Sequence, residues 1–336
     1  MNILIDAFGG DNAPLEVILG SIRAVNSVNG LTVTLVGNED KIKDCANRNN
    51  IDISSLKIIH TETVIDICEE PTEILKSKSD CSMAVGLKLL SENKADAFVS
   101  AGSTGALVVG STFIVKRIKG IKRAALATVL PTSKKPFMLL DAGANQDCRP
   151  EMLLQFGVMG SIYMEKILKR RNPSVYLINI GAEESKGREL EHEAYELFKT
   201  SPINFAGNIE ARDLPVGDID VCVADGFTGN VLLKLYEGMG KFMSRELKGV
   251  LMHNIISKIG ALFMLSGVKK LRKRMDYTEY GGAPLLGTAK PVIKAHGSSN
   301  ANAFYHAILQ AKSFVNENVI GEISQSLEQM KGKNNG

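Results

Sequence analysis

The run Asn2-Ile-Leu-Ile5 passing into Asp6-Ala-Phe-Gly-Gly-Asp11 decides how the fold is read. Branched apolar residues favour a strand, and an acidic, glycine-rich turn straight after them favours the opening of a helix. The pattern returns three times: Ala97-Phe-Val99 into Ser100-Ala-Gly-Ser-Thr-Gly105, Phe137-Met-Leu-Leu140 into Asp141-Ala-Gly-Ala-Asn145, and Val221-Cys-Val-Ala224 into Asp225-Gly-Phe-Thr-Gly-Asn230. In parallel α/β sheets the carboxyl ends of strands line the ligand crevice, so these turns are expected to converge on one site. Helix capping alone selects Asp, Ser and Asn, and any single turn has that simpler explanation. Four on one edge point to a site.

Outward from these turns, strands are expected over 2–7, 32–37, 56–60, 96–101, 124–129, 137–141, 175–180, 204–206 and 221–224. Helices are expected over 14–26, 83–91, 104–117, 150–169, 183–200, 230–248 and 302–316. The alternation predicts an α/β fold of βαβ units, a mostly parallel sheet with helices on both faces. Residues 1–330 read as a single two-lobed catalytic unit, with 248–276 a basic amphipathic helical segment and 331–336 a frayed tail.

The 336 residues carry 40 Lys and Arg against 37 Asp and Glu, a net charge of +3. That sum hides a segregation. The 28 residues from Lys248 to Met275 hold seven bases and no acid, leaving 33 bases and 37 acids, or −4, elsewhere. One basic segment on an acidic body argues against nucleic-acid binding, which spreads basic charge over a face of the fold. With 44% hydrophobic and 23% charged residues, the composition is globular. No run of about 20 apolar residues predicts a membrane span. The chain opens directly into a strand without a leader pattern, so a cytoplasmic protein is expected. The five cysteines, never in C-x-x-C spacing, read as free thiols. No His, Asp and Glu cluster has metal-ligand spacing, and neither metal nor cofactor is expected.

Ser100-Ala-Gly-Ser-Thr-Gly105 offers bare backbone amides and hydroxyls at a helix start, suited to a phosphate or an oxyanion. Three familiar motifs fall short. Gly105-x4-Gly110-Ser-Thr lacks the lysine of a P-loop, and no G-x-G-x-x-G fingerprint occurs. Ala101-Gly-Ser103-Thr-Gly105 is close to a nucleophile elbow with alanine for the first glycine, and Asp225 and His296 follow in Ser–Asp–His order. An acyl thioesterase or serine hydrolase using Ser103 is therefore one alternative. Further on, Lys290-Pro-Val-Ile-Lys-Ala-His296-Gly-Ser-Ser-Asn300 reads as a short strand ending in a polar turn, which makes His296 the histidine best placed for chemistry.

Taken together, Asp6-Ala-Phe-Gly-Gly-Asp11-Asn-Ala-Pro14, Gly102-Ser-Thr-Gly-Ala106, Asp141-Ala-Gly-Ala-Asn145, Gly207-Asn-Ile-Glu-Ala-Arg-Asp213, Asp225-Gly-Phe-Thr-Gly-Asn-Val231, Tyr280-Gly-Gly-Ala-Pro-Leu-Leu-Gly287 and His296-Gly-Ser-Ser299 resemble the bacterial phosphate acyltransferases of phospholipid synthesis. Ala211 stands where that pattern has glycine. The resemblance implies a three-layer α/β/α sandwich similar to isocitrate and isopropylmalate dehydrogenases and phosphotransacetylase, arranged as a homodimer. It implies transfer of a fatty acyl group from acyl carrier protein to inorganic phosphate, the acyl-phosphate then feeding a membrane glycerol-3-phosphate acyltransferase. For that reaction Gly102, Ser103, Thr104 and Gly105 are expected to hold phosphate or the oxyanion. Asn230 and His296 are expected at the carbonyl or in proton traffic, and Asp225 to orient them. Asp6, Asp11, Asp141 and Asn145 are expected in the supporting turns.

Within the basic segment, apolar residues at 251, 252, 255, 256, 259, 262 and 263 follow helical spacing, and Gly260 and Gly267 offer bends for a hairpin. One expectation is an amphipathic helix packed on the core or on a dimer partner. The other is an interfacial element, with Leu262 and Phe263 in the bilayer and Lys269, Lys270, Arg272, Lys273 and Arg274 on anionic headgroups. The resemblance implies a peripheral membrane protein and favours the second. Acyl carrier protein is acidic, so the same bases also suit docking of the carrier. A non-catalytic membrane-bound scaffold of lipid synthesis is the remaining alternative.

Overall fold

The computed structural model describes residues 1–275 and 281–334, with side chains described for 1–271 and 281–330. The strands are β1 (Asn2–Asp6), β2 (Thr32–Gly37), β3 (Lys57–His60), β4 (Ala97–Ser100), β5 (Ala125–Leu126), β6 (Thr128–Leu130) and β7 (Phe137–Leu140). They continue with β8 (Val175–Asn179), β9 (Phe205–Glu210), β10 (Val221–Val223), β11 (Ala283–Leu286) and β12 (Val292–Lys294). The helices are α1 (Leu15–Ser27), α2 (Glu39–Arg48), α3 (Ser82–Ser91), α4 (Thr104–Gly110) and α5 (Pro150–Lys166). They continue with α6 (Glu189–Lys199), α7 (Gly226–Met252), α8 (Ile255–Met275), α9 (Ala301–Asn316) and α10 (Val319–Asn334).

Two sheets form, in the orders β3-β2-β1-β4-β12-β11-β5 and β6-β7-β10-β8-β9. Pairing is parallel except at β11–β12, β11–β5 and β6–β7. The predicted strand over 124–129 is in fact two. β5 joins the first sheet and β6 the second, and Ala127, whose N–H donates to the Pro284 carbonyl at 3.0 Å, is the step between them. The short apolar run is therefore the seam between the two lobes. Buried apolar side chains from both sheets and from α1, α5 and α9 form one continuous core, as opposed helix and sheet faces require.

The other departures have local causes. The strand expected to end at 206 runs on to Glu210, because Gly207 takes φ +97° at a shift of register instead of making a turn. β11 contains a proline and hides within a glycine-rich block, yet it is interior to its sheet. The helix expected from 183 begins at Glu189, after Gly187 at φ +108°, leaving 181–188 as a loop. The helix over 104–117 widens to i→i+5 bonding at Ser111–Val115 and stops at Lys116, φ +70°. α2 is charged on most of its surface and buries only Ile42 and Ala46, so it offers few apolar positions to read. α10 extends to Asn334, so helix replaces the frayed tail expected from 331 to that point.

The basic segment forms the end of α7 and all of α8, bent by 120° to each other. The bend falls at His253-Asn254, not at Gly260 or Gly267. Asn254 Oδ1 accepts from Ser257 N at 2.8 Å and so restarts the helix, while both glycines lie inside α8. Its apolar residues do not pack on the chain's own core: Ile256 is 81% exposed and Phe263 85%. Leu262, Lys269 and Lys270 are exposed as well. The side chains of Arg272, Lys273 and Arg274, and the whole of Tyr280, lie outside the described residues.

Candidate active site

Three of the polar turns meet at the carboxyl edge of the first sheet. Asp6, at the end of β1, is buried, and its carboxylate accepts from Ser82 Oγ and Ser100 Oγ, both at 2.7 Å, and from Phe8 N at 3.2 Å. Ser100 Oγ in turn accepts from Gly102 N at 3.0 Å, which fixes the backbone of the second turn to the first. The turns touch so closely that a methyl on Gly9 would stand 2.6 Å from Gly102 N. Gly10 is at φ +95°, and Asp11 N donates to Gly297 O at 2.8 Å, which brings in the turn that follows β12. Burial pushes the Asp6 carboxyl above its ordinary range, opposed by the Ser82 and Ser100 hydroxyls.

His296 lies half-buried in that third turn. Its Nδ1 accepts from Ser298 N at 3.2 Å, with Ser298 Oγ at 2.9 Å, so the neutral ring carries its proton on Nε2. Burial holds the imidazole below its ordinary value, although Glu237 opposes this, so it is neutral at neutral pH. Nε2 stands 3.9 Å from Glu237 of α7.

The other two turns meet at the second sheet. Asp141 is fully buried and accepts from the N–H groups of Leu126, Gly143, Ala144 and Asn145 and from Asn145 Nδ2, at 2.7–3.1 Å. It thereby ties the crossover strand β5 to the turn after β7. Asn145 Nδ2 also donates to Ala124 O at 2.8 Å. Asp225 caps α7, with Oδ1 accepting from Thr228 N at 2.7 Å and Oδ2 from Thr228 Oγ1 at 3.0 Å. Oδ2 also takes Arg188 at 2.7 Å, and Arg188 is braced by Glu191. Gly226 and Gly229 let α7 lie directly on the Asp141 turn: a methyl on Gly229 would fall 1.8 Å from Asp141 O. Asn230 is exposed and packs against Gly143.

α7 joins the two groups. It starts at Asp225, and three turns later Glu237 faces His296, while Lys234 acts on both His296 and Lys294. The four turns singled out in the sequence form two pairs, one at each sheet, and the His296 turn joins the first pair. Two roles need correction. Asp225 holds Thr228 and Arg188, so it orients the start of α7 and not a catalytic histidine. Ser103 is the cap of α4, its Oγ accepting from Ala106 N at 3.4 Å, and it is buried. The thioesterase alternative needs Ser103 activated by a histidine oriented by Asp225. Both of that aspartate's oxygens are engaged elsewhere.

Sequence reasoning passed over Arg188, Glu237 and Lys294. Arg188 looked like an interior helix position and is instead the residue that opens α6. Glu237 required the helix to be placed in space. Lys294 left a signal: a lysine inside the buried strand run Val292-Ile-Lys294 is expensive unless its charge is used.

The family model for the fatty acid synthesis protein matches residues 1–322. A phosphate acyltransferase of Thermoanaerobacter pseudethanolicus is 47% identical over 330 residues, covering 98% of both chains. Its namesake in Clostridium acetobutylicum is 45% identical over 330 residues, covering 98% of this chain and all of that one. Among solved structures, a phosphotransacetylase from Streptococcus pyogenes superposes with a TM-score of 0.61 at 17% identity, covering 98% of this chain and 94% of that one. The EutD phosphotransacetylase of Staphylococcus aureus does so with 0.59 at 17% identity, covering 97% and 94%. At that identity the likeness shows the fold: the α/β architecture is that of the phosphotransacetylases. With seven motif blocks in order and nearly its whole length matched, the chain belongs to the fatty acid synthesis protein family and is an acyltransferase of the bacterial phosphate acyltransferase group.

Proposed function

We propose that the protein transfers a fatty acyl group from the thioester of acyl carrier protein to inorganic phosphate, giving an acyl-phosphate for phosphatidic acid and phospholipid synthesis. The observation that carries this reading is the state of the serines. Ser82 and Ser100 donate to Asp6, and Ser103 caps α4, so the site presents a polar edge and leaves the nucleophile to come from outside. Phosphate suits that part, being an anionic nucleophile at neutral pH. A phosphate oxygen forms the new bond to the carbonyl carbon, the tetrahedral intermediate collapses, and the C–S bond breaks. The proton of monohydrogen phosphate ends on the departing thiol.

The chain's own residues need only hold the reactants and stabilise charge. The neutral His296, with its proton on Nε2, is read as a donor to the carbonyl oxygen once substrate is bound, and Asn230 at the start of α7 as an amide donor. Removing one such donor costs about 3–4 kcal/mol in barrier. The amides of Gly102–Gly105 remain the reading for phosphate, with the Ser103 hydroxyl positioning them as a cap. Two measurements test this. Purified protein with acyl carrier protein thioester should form acyl-phosphate only when phosphate is added; free fatty acid formed at the same rate without phosphate would overturn the proposal. Ser103→Ala should raise the phosphate KM by about tenfold, the loss of a cap that orders the turn. An unchanged phosphate KM would remove that turn from phosphate binding.

We further infer that the α7–α8 hairpin attaches the enzyme to an anionic membrane surface, and that α7 pairs with a second copy. Exposed Leu262 and Phe263 alongside Lys269 and Lys270 support the first. The exposed row Phe227, Val231, Leu235 and Met239, at four-residue spacing on α7, supports the second. No single helix among the described residues is long and apolar enough to cross a membrane. Reversing Lys269 and Lys270 to glutamate should weaken binding to anionic vesicles by at least about tenfold. Vesicle binding unchanged, with a raised KM for acyl carrier protein, would make the bases a carrier-docking site.

A further inference from the structure

No step above uses Lys294, the most deeply buried amine at the site. It stands on β12 in register with Ser100 of β4, and only 9% of it is exposed. Its Nζ donates to the carbonyl oxygens of Ala101 at 3.2 Å and Ala295 at 2.5 Å. Those two bonds pull the Ser100 turn and the His296 turn together. Among the described residues no carboxylate comes within ion-pair distance of it, and its third N–H has no acceptor. Asp6, which attracts it through space, has its oxygens taken by Ser82, Ser100 and Phe8. Asp11 of the same turn also attracts it, and Lys234 of α7 repels it.

A buried ammonium whose only hydrogen-bond partners are carbonyl oxygens, with Asp6 and Asp11 acting on it only through space, is more favourable when an anion joins it directly. Here the charge stands between the Asp6, Ser100 and His296 turns. Asp6, Asp11 and, from α7, Lys234 act on it through space, Lys234 itself pairing with Glu237 at 3.2 Å, and the neutral His296 lies in the neighbouring turn. We propose that Lys294 is a phosphate-binding residue, its third N–H and its charge holding an oxygen of the inorganic phosphate that attacks the thioester. The proposal rests on phosphate being the acyl acceptor. Burial lowers the ammonium to about 8, so it is charged at neutral pH and loses its charge as pH rises through that value.

The test compares the wild type with Lys294→Met and Lys294→Arg. Lys294→Met should raise the phosphate KM by about 10- to 100-fold, the effect of losing one charge-assisted hydrogen bond, while the thioester KM stays within about twofold. Lys294→Arg should recover part of the loss. If Lys294→Met does not fold, the wild type decides. Sulfate, which keeps its charge across this range, should inhibit competitively against phosphate, with a Ki rising about tenfold per pH unit above about pH 8. An unchanged phosphate KM, an equal rise in both KM values, or sulfate inhibition flat through that range would overturn the assignment. If the wild type formed no acyl-phosphate at all, phosphate would not be the acceptor and the lysine assignment would fall with it. If it did form and the variants were indifferent, only the lysine assignment would fall.

Discussion

Replacing Asp141 by alanine is expected to abolish activity and most of the stability of the fold. The side chain is wholly buried and accepts from four backbone N–H groups and one side-chain amide, which join the crossover strand to the turn after β7. A buried donor left without an acceptor costs about 1–3 kcal/mol, so four together remove on the order of 5 kcal/mol, comparable with the whole stability of many domains. Asp141→Asn should rescue little, because an amide keeps one acceptor oxygen and turns its own N–H groups towards existing donors. Burial pushes the Asp141 carboxyl upward, against its N–H donors, so the fold holds that proton more tightly than the unfolded chain does, and this group's contribution to stability falls as the pH rises through the raised value. Urea unfolding of the three proteins checks this. A midpoint for Asp141→Ala equal to wild type would mean that water replaces the carboxylate.

Gly229→Ala should be nearly as damaging, with a sign opposite to the ordinary rule. Inside a helix, glycine to alanine normally stabilises by up to about 1 kcal/mol. Here the new methyl would sit 1.8 Å from the Asp141 carbonyl, and the obstruction is backbone. The start of α7 must move away, taking Asn230 with it, at a cost of about 3 kcal/mol or more. Gly238→Ala and Gly240→Ala are controls on the same helix, since nothing lies within 4 Å of either added methyl. They should raise the melting temperature while Gly229→Ala lowers it and removes turnover. A Gly229→Ala enzyme with wild-type activity would mean that α7 need not lie on the Asp141 turn.

The strand-then-polar-turn grammar was readable because buried parallel strands are apolar on both faces, and Asp6, Ser100, Asp141 and Asp225 each break that pattern abruptly. The seam at Ala127 was not readable. One apolar run looks the same whether it serves one sheet or two, and only pairing with β11 and β7 separates them. The same limit applies to roles. A serine or aspartate before a helix is chosen alike for capping and for ligand binding, and Ser103 and Asp225 turned out to cap. Lys294 shows the opposite case. A charge in a buried strand is a conspicuous anomaly, but its use became apparent only once β12 was placed beside β4. The hairpin was half legible: its periodicity gave the helices, while the bend depended on a single cap at Asn254.

The position of β12 between β4 and β11 also sets a clock on synthesis. The first hundred residues can emerge from the ribosome and pair β1 to β4, but the far edge of β4 stays open until residue 294 follows. About 200 further residues, made at about 5–20 per second, leave that edge unpaired for roughly 10–40 s. An open apolar edge is what a neighbouring nascent chain can pair with. The strand that closes it carries Lys294 and leads into His296. The nascent chain is therefore exposed to misassembly for most of its translation, and becomes a competent enzyme only near its end.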